Sequence, residues 1–94
     1  MNNFYVYIIQ SDKGFSYIGQ TKDLSDRLGR HNSNRSKATK NKGRWEIAAA
    51  KALATRSEAV KLESKLKRMK NSQKAIEYLL QIGSEHPDLN SGWS

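Results

Sequence analysis

The 94-residue sequence predicts one small mixed α/β domain, of the α+β kind. Three observations lead there. The stretch YVYIIQSDKGFSYIG, residues 5–19, has the two-residue alternation of strands on both sides of a turn. From Thr21 the apolar spacing becomes helical, and after Thr55 a second, longer helical stripe begins. A chain of this length builds one modest core and has no room for a second folding unit beside it.

Taken in order, Phe4, Val6 and Ile8 alternate with Tyr5, Tyr7 and Ile9, which puts apolar side chains on both faces and predicts a central strand. Asp12-Lys13-Gly14 supplies turn residues, and Phe15 to Gly19 reads as the return strand of a β-hairpin. Thr21 or Asp23 can cap the first helix, whose Leu24, Leu28 and His31 fall on one face before Asn32-Ser33-Asn34 closes it. Residues 33–44, SNRSKATKNKGR, carry five positive charges and no large apolar side chain. They read as a mobile basic loop or docking surface, or as a solvated connector. Residues 45–53, WEIAAAKAL, fit two patterns: their alanines favour helix, while Trp45, Ile47, Ala49 and Leu53 suit one face of a strand. Thr55 and Glu58 match a capping box, and Ala59, Leu62, Leu66 and Met69 then predict a helix from Arg56 to about Lys70. Asn71-Ser72 breaks it. Ala75, Ile76, Leu79, Leu80 and Ile82 predict a shorter last helix ending at Gly83. The domain is expected over residues 1–83, with 84–94 a loose C-terminal tail, and no internal repeat argues for a solenoid.

Composition narrows the function classes. Without cysteine there is no disulfide, thiolate metal site or thiol nucleophile. No apolar run reaches the ~20 residues of a membrane span and the N-terminus lacks a signal-peptide pattern, so a soluble, cytoplasmic chain is expected. Seventeen Lys and Arg against nine Asp and Glu give a net charge of +8, which points to a polyanionic partner, nucleic acid first. A basic surface that only maintains solubility is the plainer alternative.

Phosphodiester hydrolysis needs a base for water, positive charge at the phosphate and, as a rule, a carboxylate-held metal. Tyr7 and Tyr17 lie across the hairpin and can border one patch, though a strand tyrosine taken singly is ordinarily packing. A tyrosine base would need cationic neighbours to bring its pKa down from ~10. Arg27 and His31, four apart, place a forked phosphate donor beside a titratable imidazole, or are two surface residues. Glu63 sits at the margin of the apolar stripe, where it can hold a hard divalent cation or simply pair with Lys67.

Tyr5-Val6-Tyr7, then Tyr17-Ile18-Gly19, then Arg27 and His31 within DLSDRLGRHN, then Glu63 within TRSEAVKLESKLK together resemble the GIY-YIG nuclease domain in its small single-domain bacterial form. The likeness runs from about Phe4 to Leu80. Tyr5-Val6 replaces Gly-Ile of the first half-motif; Tyr-Ile-Gly is matched in full. The resemblance implies a three-stranded antiparallel sheet flanked by helices in the order ββαβαα, which makes residues 45–53 the third strand. It also implies that Tyr7 and Tyr17 border the catalytic patch, with one of them or His31 deprotonating water. Arg27 would stabilise the pentavalent phosphate, Glu63 would bind one Mg²⁺ or Mn²⁺, and Gly19 would let the backbone pass close to the site. Two departures stand out: Gln20 occupies a position where some relatives carry lysine, and Asn71 is only a loose counterpart of an asparagine found after the metal-binding helix.

The expected function is a metal-dependent DNA endonuclease with little sequence choice, because no base-reading module is present. Arg30, Arg35, Lys37, Lys40, Lys42 and Arg44 are its expected DNA phosphate footprint. The competing expectation is a non-catalytic nucleic-acid-binding module that keeps the fold and serves a partner protein. RNA-directed activity is a third, with no RNP-type aromatic motif behind it.

Overall fold

Strand β1 (Phe4–Ser11) is apolar on both faces, and the domain is built around it. The computed structural model describes residues 4–33 and 40–83. Its further elements are β2 (Ser16–Thr21), α1 (Leu24–Asn32), β3 (Trp45–Leu53), α2 (Arg56–Arg68) and α3 (Ser72–Gln81). The sheet order is β2-β1-β3, antiparallel throughout, so the implied ββαβαα arrangement and the central position of β1 are both observed. The tail expected at 84–94 lies outside the described residues, as do Arg35 and Lys37.

Alternation along β1 divides the domain into two cores. Val6 and Ile8 pack with Ala49 against Ala59 and Leu66 of α2 and Ala75, Ile76 and Leu79 of α3. Tyr7 and Ile9 turn to the other face and pack with Trp45, Ile47 and Ala50 against Leu24 and Leu28 of α1. The hairpin turn is closed by Gly14 at φ 90°, a left-handed conformation that glycine adopts without strain, and Ser11 Oγ accepts from the Lys13 and Phe15 amides.

Caps fix the helix starts. Asp23, one of the two expected candidates, accepts from the Asp26 amide at 3.0 Å, and Thr55 accepts from the Glu58 amide at 3.2 Å. The Thr55 hydroxyl donates to the Glu58 carboxylate at 3.0 Å, which makes a side-chain variant of the capping box. Asn71, read from sequence as a breaker, caps α3 through Lys74 N–H at 3.0 Å.

Three expectations are corrected. Trp45, Ile47, Ala49 and Leu53 do not share one face. Ile8 pairs with Ala49 while Ile9 pairs with Ile47, so a β-bulge at Ala48 moves Ala49 and Leu53 to the α2/α3 side. Helix α2 ends at Arg68, with Met69 as its C-cap and Lys70 at φ 53°. Leu80 and Ile82 do not join the core and are 55% and 38% exposed: the helical period that buries Ala75, Ile76 and Leu79 turns Leu80 outward, and Ile82 lies past the last helical residue, Gln81, as the C-cap.

Leu79, fully buried between α3 and the sheet, gives a direct check of this packing. Leu79→Ala should lower stability by about 2–5 kcal/mol, seen as a fall in urea midpoint with an unchanged m-value.

Candidate active site

Tyr7 and Gly19 are paired across β1 and β2, and the absence of a side chain at Gly19 decides what Tyr7 can do. A Cβ there would stand 2.8 Å from Tyr7 Oη and 2.9 Å from a ring carbon of Tyr17, closer than real Cβ contacts come. The tyrosine ring therefore lies across the backbone of β2. Its hydroxyl reaches His31 Nε2 on α1 at 3.0 Å. Tyr17 joins them, with ring centroids 6.3 Å from Tyr7 and 5.1 Å from His31, and Trp45 backs the imidazole at 6.3 Å.

The last turn of α1 is held in place by Asn32. Its amide donates to the Trp45 carbonyl at 3.0 Å and accepts from the Trp45 N–H at 2.6 Å, imitating one rung of a sheet. Sequence reasoning took Asn32 only as a helix end.

Burial shapes the electrostatics. Burial, and secondarily the Arg27 guanidinium, push the His31 pKa down to about 4, so the imidazole is neutral at neutral pH. The Tyr7 pKa is pushed up, by burial first and by Tyr17 and Glu63 after it, against an opposing pull from Arg27. A cation-lowered tyrosine base, the condition set from sequence, is thus not the state of Tyr7. The phenol keeps its proton, and its oxygen stays within hydrogen-bond distance of His31 Nε2.

Arg27 lies one turn before His31 on the same helix and borders a hollow of about 320 Å³ that also meets Gln20, Lys22 and Arg56. Its Nε is buried and, among the described residues, has no hydrogen-bond partner. That is a costly state for a donor unless an anion completes it.

Glu63 approaches from the other face of the sheet, on α2, and is 16% exposed. One carboxylate oxygen accepts from Gln20 Nε2 at 2.7 Å and the other is paired with Lys67 Nζ at 2.8 Å. The expected Glu63–Lys67 pair is therefore present. Sequence reading saw Gln20 only as a departure, yet it orients the carboxylate without neutralising it. Lys67 has its pKa raised, chiefly by the hydrogen bond to Glu63 and to a smaller extent by Tyr17. It brings a cation near Tyr17, where Gln20 brings none. Neither role carries a signal in a single sequence, since both depend on β2 and α2 lying together.

Of the expected phosphate footprint, Arg30 is exposed and paired with Asp26 at 3.0 Å. Lys40 and Arg44 are exposed, and Lys42 Nζ sits 5.3 Å above the Phe15 ring at the hairpin turn.

Two measurements probe this arrangement. Gly19→Ala should force Tyr7 off His31 and lower stability by about 1–3 kcal/mol in urea melts. For His31, the unfolded imidazole takes its proton near pH 6.5 and the folded one only near pH 4. The unfolded chain therefore binds more protons between those values, so the stabilisation is full above pH 6.5 and is lost as pH falls towards 4, on the order of 3 kcal/mol in all. Urea midpoints across that window should fall in the wild type and flatten in His31→Gln; parallel slopes would show that His31 is not held neutral.

Comparison with known proteins agrees with this geometry. The GIY-YIG catalytic domain profile matches residues 3–76. A UPF0213 protein of Streptococcus pneumoniae is 37% identical over 87 residues, covering 92% of this chain and 83% of the relative. One from Staphylococcus epidermidis is 33% identical over 79% of this chain and 92% of its own. The solution NMR structure of the UPF0213 protein BH0048 from Bacillus halodurans superposes with a TM-score of 0.52 at 28% identity, covering 98% of this chain and 97% of that one. With the two tyrosines, Arg27, His31 and Glu63 gathered at one strand edge, and with matches that span most of the sequence, this chain belongs to the GIY-YIG nuclease-domain family, among its small UPF0213 members.

Proposed function

We propose that this protein is a metal-dependent endonuclease that hydrolyses DNA phosphodiester bonds with little sequence choice of its own. The observation that carries the reading is the convergence at the β2 edge of a phenol–imidazole pair, an arginine whose buried Nε has no partner among the described residues, and an oriented carboxylate. Family membership supports a nucleic acid as the substrate class. No helix among the described residues is long and apolar enough to cross a membrane.

Arg27 binds the scissile phosphate and opposes the charge that accumulates on its oxygens as water attacks. The Tyr7 oxygen takes a proton from that water while Tyr7 passes its own to His31 Nε2, with Tyr17 at the mouth of the site positioning the water. Phosphate at Arg27 offsets one of the two causes that hold the His31 pKa down, so substrate binding moves the imidazole towards accepting the proton. Among the described residues no group of three or more His, Asp or Glu side chains comes together. One carboxylate suits one hard cation whose remaining positions are filled by water and substrate oxygens, so Glu63 would hold a single Mg²⁺ or Mn²⁺ and Gln20 would keep that carboxylate aimed. When bound, the cation neutralises charge on the leaving oxygen.

A second reading has its own observation. Both oxygens of Glu63 already have partners, as they would in a structural ion pair of a non-catalytic nucleic-acid-binding module. Purified protein incubated with supercoiled plasmid and with branched or flapped oligonucleotides, in Mg²⁺, Mn²⁺ or EDTA, separates the two. We expect cutting that EDTA abolishes and that Glu63→Gln and Arg27→Ala each reduce by about 10²–10³, with binding retained in Glu63→Gln. Salt-sensitive binding with no cutting under any condition would establish the binding module instead.

A further inference from the structure

Two hollows open beside the candidate site, one of about 480 Å³ that reaches Ser16 and Tyr17 and one of about 320 Å³ that reaches Gln20 and Thr21. The smaller holds more positive charge. Lys22, Arg27 and Arg56 line it from three segments: the β2–α1 connection, α1 and the first turn of α2. Among the described residues none of the three is paired with a carboxylate, whereas Arg30 has Asp26 and Lys67 has Glu63. Asp23 is the one acidic residue of the lining, and it accepts from the Asp26 amide as the α1 cap. Two of the cations stand where local chemistry opposes them. Arg56 is the first residue of α2 and Lys22 directly precedes the α1 cap, so each lies at the positive end of a helix, where acidic residues are favoured. Neither helix accounts for its cation, but an anion in the hollow does, because it offsets the repulsion among the three cations and both helix ends together. Lys22 is also held in place, its Nζ 5.2 Å over the Phe4 ring. Lys22 and Arg56 are exposed and Arg27 only partly so, which runs the hollow from the arginine of the candidate site out to solvent.

We propose that this hollow takes two consecutive phosphates of a nucleic-acid strand, the scissile one at Arg27 and its neighbour at Lys22 and Arg56. The inference rests on the nuclease reading and deepens it. Lys22 and Arg56 are positioning residues: by holding the neighbouring phosphate they set which phosphate of the strand stands at Arg27. A guanidinium and an ammonium both suit a phosphodiester, and contacts of this kind fix register without reading a base.

NMR titration of the full chain in EDTA measures binding without cutting. The probes are a thymidine dinucleotide with one phosphate, a trinucleotide with two, and the same trinucleotide with one linkage replaced by an uncharged methylphosphonate. The fully charged trinucleotide should bind at least about fivefold tighter than either of the others, whereas two alternative placements of a single phosphate give only about a twofold gain. Lys22→Gln and Arg56→Gln should each remove most of that gain. Lys74→Gln should keep it, since Lys74 is exposed on α3 and lines neither hollow. Arg56→Gln should melt no lower than the wild type, because it takes a cation away from the positive end of α2, so its lost binding is not lost folding. A wild-type gain of about twofold or less, a gain kept in both folded variants, or an equal loss in Lys74→Gln overturns the proposal. Plasmid cutting in Mg²⁺ measured alongside keeps the two readings apart. Cutting without the two-phosphate gain removes the subsite and leaves the nuclease, whereas the gain without cutting on any substrate leaves the hollow as a strand-binding site and removes the nuclease.

Discussion

Tyr7 lies against the bare backbone of Gly19, and the candidate site depends on that close approach. Any side chain at Gly19 would fill the space that the phenol occupies, with Cβ only 2.8 Å from its oxygen. Given that space, a residue of the central strand can lean towards the edge of the sheet and meet His31 on α1. The rest of the α1 face follows from the need to hold that imidazole. Leu24 and Leu28 bury the helix against Ile9, Ile47 and Ala50, and the bidentate bond between Asn32 and the Trp45 backbone fixes its last turn. The phenol–imidazole bond is then made between groups that packing has already positioned, so little side-chain entropy is lost in forming it.

The groups of opposite charge reach the same place from opposite faces of the sheet. Arg27 comes with α1 and Glu63 with α2, and they meet around β2, the edge strand. The separation has an electrostatic use. A bidentate Arg27–Glu63 pair would satisfy both charges and leave neither for a phosphate or a cation. Instead Glu63 is held by a neutral amide and by a flexible lysine that is itself 56% exposed, while Arg27 keeps its Nε unpartnered among the described residues. The balance is visible in the titrating groups: burial raises the Tyr7 pKa against the opposing pull of Arg27 and lowers that of His31, with Arg27 adding to the latter, so the phenol keeps its proton and the imidazole stays neutral.

What local chemistry decides was legible in the sequence. The period of two in β1, Gly14 in the turn, the Thr55 cap and the α2 stripe involve neighbours along the chain, and all are found. The family motif also named Tyr7, Tyr17, Arg27, His31 and Glu63, which lie together at the β2 edge, because its spacing records a three-dimensional arrangement that periodicity alone cannot. What escaped is what only packing decides. The alanines of β3 favour helix in isolation, but Ala49 and Ala50 are fully buried on opposite faces of the sheet, where small side chains let the helices approach. The bulge at Ala48 reverses the face of half a strand through one extra residue, and no local signal announces it. Leu80 and Ile82 extended an apolar run past the point where the helix could keep them inside. Gln20 and Lys67 acquire their roles only from the pairing of β2 with α2.

An edge strand is ordinarily a liability, since its unpaired backbone groups can recruit another chain. Here β2 is short and carries Ser16, Gln20 and Thr21, and α2 lies along it with Glu63 and Lys67. The position suits a polymer. A closed pocket would have to admit a chain end, whereas an open edge lets a long strand lie across the site without being threaded. The two hollows flank the Gln20–Glu63 bridge, one reaching Ser16 and Tyr17 and the other Gln20 and Thr21, over a six-residue strand of roughly 20 Å. That length matches about six phosphates at the ~3.4 Å rise of one DNA strand, so under the proposed function a segment on both sides of the cut would be held with only its central phosphate at the phenol, the guanidinium and the carboxylate. Each hollow carries cations, Lys67 and Lys70 at one and Lys22 and Arg56 at the other. Under the proposed function, binding spread along the edge and chemistry confined to its centre would suit a nuclease with little sequence choice, since phosphate contacts are common to every sequence.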